Sequence, residues 1–517
     1  MKTKAYIIGI ALVLGLASCS LDQEPGGSTI TQKQYDAMDD KVEGAVKGIY
    51  SQLYAYGSSH DYFGKRSLDM YTDLLCGDMA MKTQRYGWFV TDERGQTYGR
   101  RSTFWTFYYD IIRLCNKGIN GVEDVWTPVL ESATVSDDDY AYGMYYAELL
   151  TLRGWAYSSL MQVFCKGADV DINTELAFPI YTDADTETDT ILGAPRATMT
   201  DVYLRIEEDL QQAIAYFVAY SGVTRSNKLR TNVDVARLIL AYSYLNKGDY
   251  SAALYYVKDF LECTSATMLP NSEVLTNGFN NVDTKSWIWG EDVTVENTTS
   301  LASFFGQCDI YSYSYASAGD VKGIDENLYN EILAQGWDIR KYWWNNYYNA
   351  NGVYQWAPDG KFYSSKSTSI SGDRDWLSDN VFMRYELAYL IGAEAAYRNN
   401  DLTMAYDYIT KLTDERVIDT QEAKDAYDAY KATLVNNASN LATAILYNWR
   451  VELWGEGYGL QTFKRWNQEV KLGTNHLRSS RTLTPSTERI FTFELPTSET
   501  RYNPYLNDDV TTLASEQ

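Results

Sequence analysis

The chain has 517 residues, of which 45% are hydrophobic and 15% aromatic, and it carries a formal net charge of −24 at pH 7. This composition supplies enough apolar side chains for a sizeable folded core. The acidic balance argues against nucleic acid and against an anionic membrane surface as partners, because both require clustered cations.

The first nineteen residues have the pattern of an export signal. Lys2 and Lys4 precede an apolar run, Ala5–Leu16, of about a dozen residues, which is shorter than the about 20 residues of a membrane span. The run ends in LASC at residues 16–19, which resembles a bacterial lipobox. This pattern predicts a lipoprotein signal peptide over residues 1–18, a lipid on Cys19 and a lipid-anchored tether over residues 19–30. A plain secretory signal that ends near a cysteine is the alternative.

Apolar residues recur at spacings of three and four in several stretches, and this period predicts helices. The predicted helices are Thr31–Tyr56, Trp105–Asn116, Tyr145–Phe164, Asp201–Tyr220 and Leu441–Gly455. Thr198 and Asp201 have the spacing of a helix-capping pair. We expect the stretch Gly57–Gly99 to be rich in loops.

Two segments have the pattern of one repeated unit, a helix, a tight turn and a second helix. Ala236–Leu261 turns at Gly248, and Ala393–Leu412 turns at Asn400. Small residues near each turn favour close packing of antiparallel helices, as in a tetratricopeptide hairpin. One such hairpin cannot bury its apolar face alone, so we expect other helix pairs to stack beside it. An ordinary antiparallel helix bundle is the alternative.

A long insert without the repeat pattern, about Thr264–Asn380, contains most of the candidate binding residues. Sugar rings stack their C–H faces on Trp and Tyr, which are amphipathic aromatics. The candidate ligand-binding residues of the insert are Trp287, Trp289, Tyr311, Tyr313, Tyr315, Trp344 and Tyr347, and Tyr86 and Trp88 with Arg85 form a second group. Asp320 is among the polar residues that could contact hydroxyl groups. The alternative is that these aromatic side chains belong to the core.

Motifs spread along nearly the whole chain resemble the RagB/SusD family of nutrient-binding lipoproteins. They are the lipobox at Cys19, the helix that begins at Trp105, ELLTLRGWAY at 148–157, FP at 178–179, PRAT at 195–198, RYELAYLIGAEA at 384–395, RVELWGEG at 450–457, KRW at 464–466 and the tail from Leu495 to Asn507. The resemblance implies a mainly α, tetratricopeptide-like domain over residues 31–517 with minor β structure. It also implies a lipoprotein of the outer membrane, exposed at the cell surface, that captures a ligand for a TonB-dependent, SusC-like barrel, and it does not specify the ligand.

The charged residues of the last helical motifs are expected to be structural. Arg384, Glu386, Arg450, Glu452 and Glu456 are predicted to form partly buried ion pairs that clamp helices together. Five cysteines follow Cys19 at irregular spacing, which predicts neither a disulfide framework nor a zinc site.

No catalytic signature is present, and we expect neither an enzyme nor a cofactor. Phosphate-binding, nucleophile-elbow and metalloprotease motifs are missing from the sequence. With only His60 and His476 in the chain, and Thr188 where a calcium loop in the acidic run 183–189 would need glycine, we expect no metal site. We therefore predict binding of a neutral glycan. Three alternatives stay open: a peptide or glycopeptide ligand, a surface glycoside hydrolase, and a structural lid whose aromatic residues are buried.

Overall fold

The computed structural model describes residues 41–55, 57, 59–94, 100–128, 130, 137–167, 170–182, 193–220, 228–348, 354–364, 372–486 and 491–506. The predicted signal peptide, Cys19, the tether and the acidic run 183–189 lie outside these residues.

Most of the described chain is helical, as predicted. The helices are α1 (Lys41–Tyr54), α2 (Lys65–Cys76), α3 (Val90–Glu93), α4 (Arg101–Glu123), α5 (Asp137–Phe164), α6 (Met199–Ala219), α7 (Val233–Lys247), α8 (Tyr250–Cys263), α9 (Phe304–Cys308), α10 (Glu326–Gln335), α11 (Glu386–Arg398), α12 (Leu402–Asp414), α13 (Gln421–Leu434), α14 (Ala438–Glu452), α15 (Gly459–Trp466) and α16 (Thr497–Tyr502). None of the helices in these ranges combines the length and the apolar content that crossing a membrane requires.

The strands are short, and half of them lie in the insert or at its end. They are β1 (Met79–Ala80), β2 (Leu176–Pro179), β3 (Arg196–Thr198), β4 (Trp287–Glu291), β5 (Gly323–Ile324), β6 (Trp344–Tyr348), β7 (Tyr354–Pro358), β8 (Asn380–Arg384), β9 (Val470–Lys471) and β10 (Thr482–Leu483). β1, β5, β7 and β6 form one antiparallel sheet in that order, and β4 pairs with β8.

The helices stack in sequence, each on its neighbour. α4 packs on α5, α5 on α6, α6 on α7 and α7 on α8, and α8 then contacts α11 and α12 packs on α11. One hydrophobic core runs through this stack, from Val42 in α1 to Phe493 near the C-terminus. The expected stacking of helix pairs around the two hairpins is therefore confirmed.

The two predicted hairpins turn in the same way. Gly248 (φ 90°) and Asn400 (φ 62°) adopt the left-handed conformation that ends a helix. The next residue, Asp249 or Asp401, caps the following helix by accepting a hydrogen bond from a backbone N–H, at 3.0 Å from Ala252 and 2.9 Å from Met404. The similarity of the two sequences thus reflects one shared turn.

The capping pair before α6 is also confirmed. The Thr198 hydroxyl accepts a hydrogen bond from the Asp201 backbone N–H at 3.2 Å, and the Asp201 carboxylate accepts one from the Thr198 N–H at 3.1 Å. Both orphan donors at the start of the helix are satisfied reciprocally.

The stretch Gly57–Gly99 is not uniformly loop, because it contains α2. Every residue of this helix is buried, including Lys65, Arg66 and Asp69. Lys65 and Arg66 both donate to the Asp69 carboxylate, at 2.8 Å and 2.9 Å. Leu68, Tyr71 and Leu75 have the spacing of an apolar helix face, and the charged residues are buried beside them as ion pairs.

A cluster of buried charges clamps the C-terminal half of the molecule. Its members are the four cations Arg340, Lys361, Arg384 and Arg416 and the four carboxylates Asp338, Glu386, Glu452 and Glu456. At its centre, Glu452 receives Arg340 at 3.0 Å, Arg384 at 2.8 Å and Arg416 at 2.8 Å. Burial raises the pKa of Glu452, but the arginines prevail and hold it well below its usual range.

The predicted ion pairs of Arg384, Glu386, Glu452 and Glu456 are therefore confirmed, and they are fully buried. Arg450 instead pairs with Asp78, at 2.8 Å, and so ties α14 to the segment just before β1.

Candidate functional site

Three of the predicted binding residues lie in the core. Trp287 is 0% exposed, and Trp289 and Trp344 are also buried. Trp289 packs edge-on against Trp155 at 5.4 Å and Phe382 at 5.2 Å. A ring with no open face cannot stack on a sugar, so the prediction is wrong for these three residues. The cause is that both faces of β4, and the Trp344 end of β6, are covered by the helices and strands around them.

Five other predicted aromatics occupy or flank one surface feature. Tyr86, Trp88 and Tyr315 come together with His60, and we name these four residues the aromatic platform. The Tyr86 and Tyr315 ring centroids lie 5.1 Å apart, those of Trp88 and Tyr315 6.2 Å apart, and those of His60 and Trp88 5.1 Å apart. Tyr86 is 48% exposed, Trp88 is half-buried and Tyr315 is buried. Tyr86 and Trp88 therefore offer aromatic surface to solvent, and Tyr315 supports them from below.

Strand pairing explains why residues so distant in sequence meet here. β1 and β5 are antiparallel, with Met79 opposite Ile324. In an antiparallel pair the residues that follow one strand lie beside those that precede the other. The loop after β1 carries Tyr86 and Trp88, and the segment before β5 carries Tyr315. Tyr315 of the insert and the Tyr86–Trp88 group, which are far apart in sequence, therefore lie together.

Asp320 fastens the two halves of the platform together. Its carboxylate oxygens accept hydrogen bonds from the backbone N–H groups of Arg85, at 2.8 Å, and Tyr86, at 2.7 Å. Asp320 is itself buried. We expected this residue to contact sugar hydroxyls, but both of its oxygens are engaged with the backbone, so it positions Tyr86 instead.

A buried polar layer supports His60 from below. Gln307 donates to the His60 carbonyl at 3.3 Å and accepts from the Lys322 ammonium at 2.6 Å. Lys322 also donates to the Asp320 carbonyl at 3.0 Å. Burial lowers the pKa of Lys322 to about 8, against the opposing effect of Asp320. These contacts hold His60 and Asp320 in fixed relation, so the platform is preorganised.

The Tyr315 hydroxyl is engaged from two sides. It contacts the His60 Nδ1 atom, and the Trp88 side chain also hydrogen-bonds to it. Burial raises the pKa of Tyr315. Because its hydroxyl is held by the other platform residues, the ring of Tyr315 is fixed in orientation.

Tyr311 and Tyr313 flank the platform on the same segment. Tyr313 is 65% exposed. Its ring lies close to Gly372, because a Cβ atom added to that glycine would be 3.6 Å from the ring. The guanidinium of Arg374, paired with Asp309 at 3.2 Å, covers the Tyr311 ring at 4.7 Å. Tyr313 is thus free to contact a ligand, whereas one face of Tyr311 is closed. The side chain of Tyr347 lies outside the part of the chain that the structure describes.

His60 belongs to the site although sequence reasoning did not select it. A lone histidine in a loop has no periodic or motif signal. The only hint was its rarity, because the chain has two histidines.

An interior cavity lies elsewhere, between α2, α5 and α7. It measures about 60 Å³ and is lined by Lys65, Asp69, Trp289 and Glu456 among others. Since a buried water needs about 10–15 Å³ measured in this way, the cavity accommodates a few waters and is too small for a sugar ring. In the described ranges, no group of His, Cys, Asp and Glu side chains is arranged to hold a metal ion.

Comparisons with known proteins agree with this fold. Residues 28–240 match a family profile described as starch-binding associating with outer membrane, and residues 239–511 match the profile of the SusD family. Comparison with curated protein sequences finds no match.

Solved structures of similar fold come from several species. A SusD-like carbohydrate binding protein from Bacteroides vulgatus is 23% identical, with a TM-score of 0.72 and coverage of 90% of this chain and 97% of that one. SusD superfamily proteins from Bacteroides thetaiotaomicron (18% identical, TM-score 0.72, coverage 90% and 98%) and Bacteroides fragilis (17%, 0.65, 90% and 98%) are also similar. At these identities the likeness concerns the fold.

Proposed function

The chain belongs to the SusD family, and on that premise we propose that it is a cell-surface protein that captures a glycan on the aromatic platform. The observation that carries the proposal is the clustering of Tyr86, Trp88 and Tyr315, with Tyr86 half exposed. Exposed aromatic surface of this kind marks an interaction site.

The geometry of the platform suits a sugar. The rings meet edge-on and at tilted angles, so the surface is stepped and follows a bent chain of sugar rings better than a flat ligand. Tyr313, on the same segment as Tyr315, is a further exposed aromatic ring. Rigid aromatic anchors need little ordering when a ligand binds, which favours affinity.

Binding fits the site better than hydrolysis of the glycan. Glycoside hydrolysis needs two carboxyl groups that are free to act on the substrate. Of the described carboxylates near the platform, Asp320 accepts two backbone N–H groups, and Asp61 is buried and paired with Arg100. We therefore propose a binding protein without catalytic activity.

We further propose that the protein is anchored by a lipid on Cys19 in the outer membrane and passes its ligand to a SusC-like, TonB-dependent barrel. The description of the first matched profile, which names association with the outer membrane, supports this location. If Cys19 carries the lipid, Cys19→Ala should release the protein from the membrane fraction, and its retention there would refute the anchor.

The direct test is calorimetric titration of the purified full-length protein, in detergent, against polysaccharides and peptides. Binding of at least one polysaccharide class, lost when the platform is altered, is the expected result. Binding of peptides alone would indicate that the protein serves a peptide importer. No binding at all would indicate a structural lid without a ligand of its own.

A further inference from the structure

The rim of the aromatic platform carries an exposed arginine that no carboxylate neutralises. The Arg85 guanidinium donates to the Ala318 carbonyl at 3.1 Å and lies 5.6 Å from the Tyr86 ring centre. Within the ranges that the structure describes, no Asp or Glu oxygen comes within ion-pairing distance of it. Asp320 is adjacent, but its two oxygens accept the backbone N–H groups of Arg85 and Tyr86.

A second exposed arginine contacts the same loop. Arg94 donates to the side-chain oxygen of Gln84, the residue just before Arg85. It too makes no ion pair among the described residues. Two guanidinium groups on one loop therefore lack an ion pair in the described part of the chain.

The buried layer below the platform does not cancel this charge. Asp61 is paired with Arg100, and the Asp320 charge faces the buried Lys322. Burial raises the pKa of Asp92 to about 8, so this carboxyl is mostly protonated at neutral pH. The immediate surroundings of the platform are thus positive within a protein whose net charge is −24.

A guanidinium held against an aromatic face is suited to a carboxylate ligand. Its planar fork forms two parallel, charge-assisted hydrogen bonds to a carboxylate, a geometry that a hydroxyl group cannot reproduce. An exposed arginine beside a stacking surface can therefore hold a sugar ring by its face and an acidic substituent by its edge.

We propose that the platform selects an acidic saccharide, a glycan that contains uronic or similar sugar acids, whose carboxylate binds Arg85 with Arg94 as a second cation. This inference rests on the proposed function and replaces the expectation of a neutral ligand. The stacking surface and the cationic rim then recognise different parts of the same sugar.

The experiment compares ligands that differ only in charge. The full-length protein is titrated with uronic-acid oligosaccharides and with the same oligosaccharides after carboxyl reduction, which makes them neutral without altering their linkages. We expect the acidic form to bind about tenfold more tightly or better. Its affinity should fall as salt is added, because an exposed ion pair is screened.

Substitutions assign the effect to one side chain. Arg85→Gln should weaken the acidic form about tenfold and leave the neutral form within twofold, whereas Arg85→Lys, which keeps the charge but not the fork, should lose less. The matched control is Arg501→Gln, an exposed arginine of α16 outside the site. It should change neither affinity. Thermal unfolding of all three variants verifies that they are folded.

Each outcome decides a separate point. If neutral glycans bind as well as acidic ones, or if Arg85→Gln has no effect on the acidic form, the inference fails and the proposed function stands. If no saccharide binds, both fail. If peptides bind and lose affinity with Arg85→Gln, the carboxylate pocket is real but the assignment to a sugar is wrong.

Discussion

At the scale of single residues, the exposure of an aromatic ring separates a binding role from a structural one. Tyr86 and Trp287 are both aromatic residues of the segments that the sequence singled out. Tyr86 is half exposed on the platform, and Trp287 is enclosed where β4 pairs with β8. Opposite consequences are therefore expected when each is truncated.

Tyr86→Ala should weaken glycan binding without unfolding the protein. Loss of one stacking ring costs about 1 kcal/mol of binding free energy, or about fivefold in Kd. The measurement is calorimetric titration together with the melting temperature. Tyr255→Ala is the matched control, because Tyr255 is a similarly exposed tyrosine on α8. Equal loss of affinity in both variants would show that Tyr86 is not part of the binding site.

Trp287→Ala should instead destabilise the fold. Removal of a buried tryptophan costs about 3–5 kcal/mol of unfolding free energy, because its contacts are lost and a cavity is left behind. Denaturant unfolding measures the loss, and the glycan affinity of the folded fraction should stay unchanged. If the variant keeps its stability but loses binding, Trp287 contacts the ligand after all.

At the scale of elements, ion pairs determine which helices and strands pack together. Glu452, in α14, receives arginines from β8 and from the segments after α10 and α12. One carboxylate thus links four parts of the chain. Where such a group is buried, its loss leaves several cations without a partner, which costs more than the loss of any single pair.

Glu452→Gln should therefore cost about 3–5 kcal/mol of unfolding free energy. The control is Glu262→Gln in α8, whose side chain is exposed and pairs with Lys258 at only 3.8 Å. Its effect should stay within about 0.5 kcal/mol. Denaturant unfolding compares the two variants. Similar small effects in both would show that the cluster rearranges around the missing charge.

At the scale of the whole molecule, a buried histidine joins distant segments and makes stability depend on pH. The two ring nitrogens of His476 lie 2.8 Å from Glu93 in α3 and 3.0 Å from Asp325, which caps α10. Burial lowers the pKa of His476, but the two carboxylates prevail and raise it to about 9. The folded protein therefore keeps this imidazole protonated at neutral pH.

The stability contributed by His476 should disappear in mild alkali. Because the folded pKa lies above the unfolded value of 6.5, the contribution is fully present below pH 6.5 and is lost as pH rises through about 9. Unfolding free energies of the unmodified protein and of His476→Gln should thus differ most at pH 6 and much less at pH 9.5. A difference that is constant across this range would contradict the assignment.

Periodic and local signals made much of this molecule predictable. The turns at Gly248 and Asn400 and the cap at Thr198 depend on a few neighbouring residues, and the sequence displays them directly. The family motifs around Glu452 likewise marked the charge cluster. These features need no knowledge of distant contacts.

The features that could not be predicted depend on contacts between segments that are far apart in the sequence. Whether the ring of Trp289 or of Trp88 is exposed to solvent depends on the segments that pack against it. Both residues are tryptophans in aromatic-rich segments, so composition alone cannot distinguish them. The meeting of Tyr86 with Tyr315 requires the register of β1 on β5. α2 was not predicted, although Leu68, Tyr71 and Leu75 have helical spacing. The burial of Lys65 and Asp69 as a pair depends on distant contacts that local spacing does not show.

The charge cluster also has a consequence for the order in which the chain assembles. A stack of helical hairpins can fold progressively, one pair upon the previous one. Here Arg340 and Glu452 are 112 positions apart, and Arg384 and Glu452 are 68 apart. Arg340 and Arg384 each have a carboxylate two residues away, Asp338 and Glu386, but their bonds to Glu452 can form only after α14 has been added. We therefore expect the C-terminal half to complete its packing late, although its hairpins resemble independent repeats.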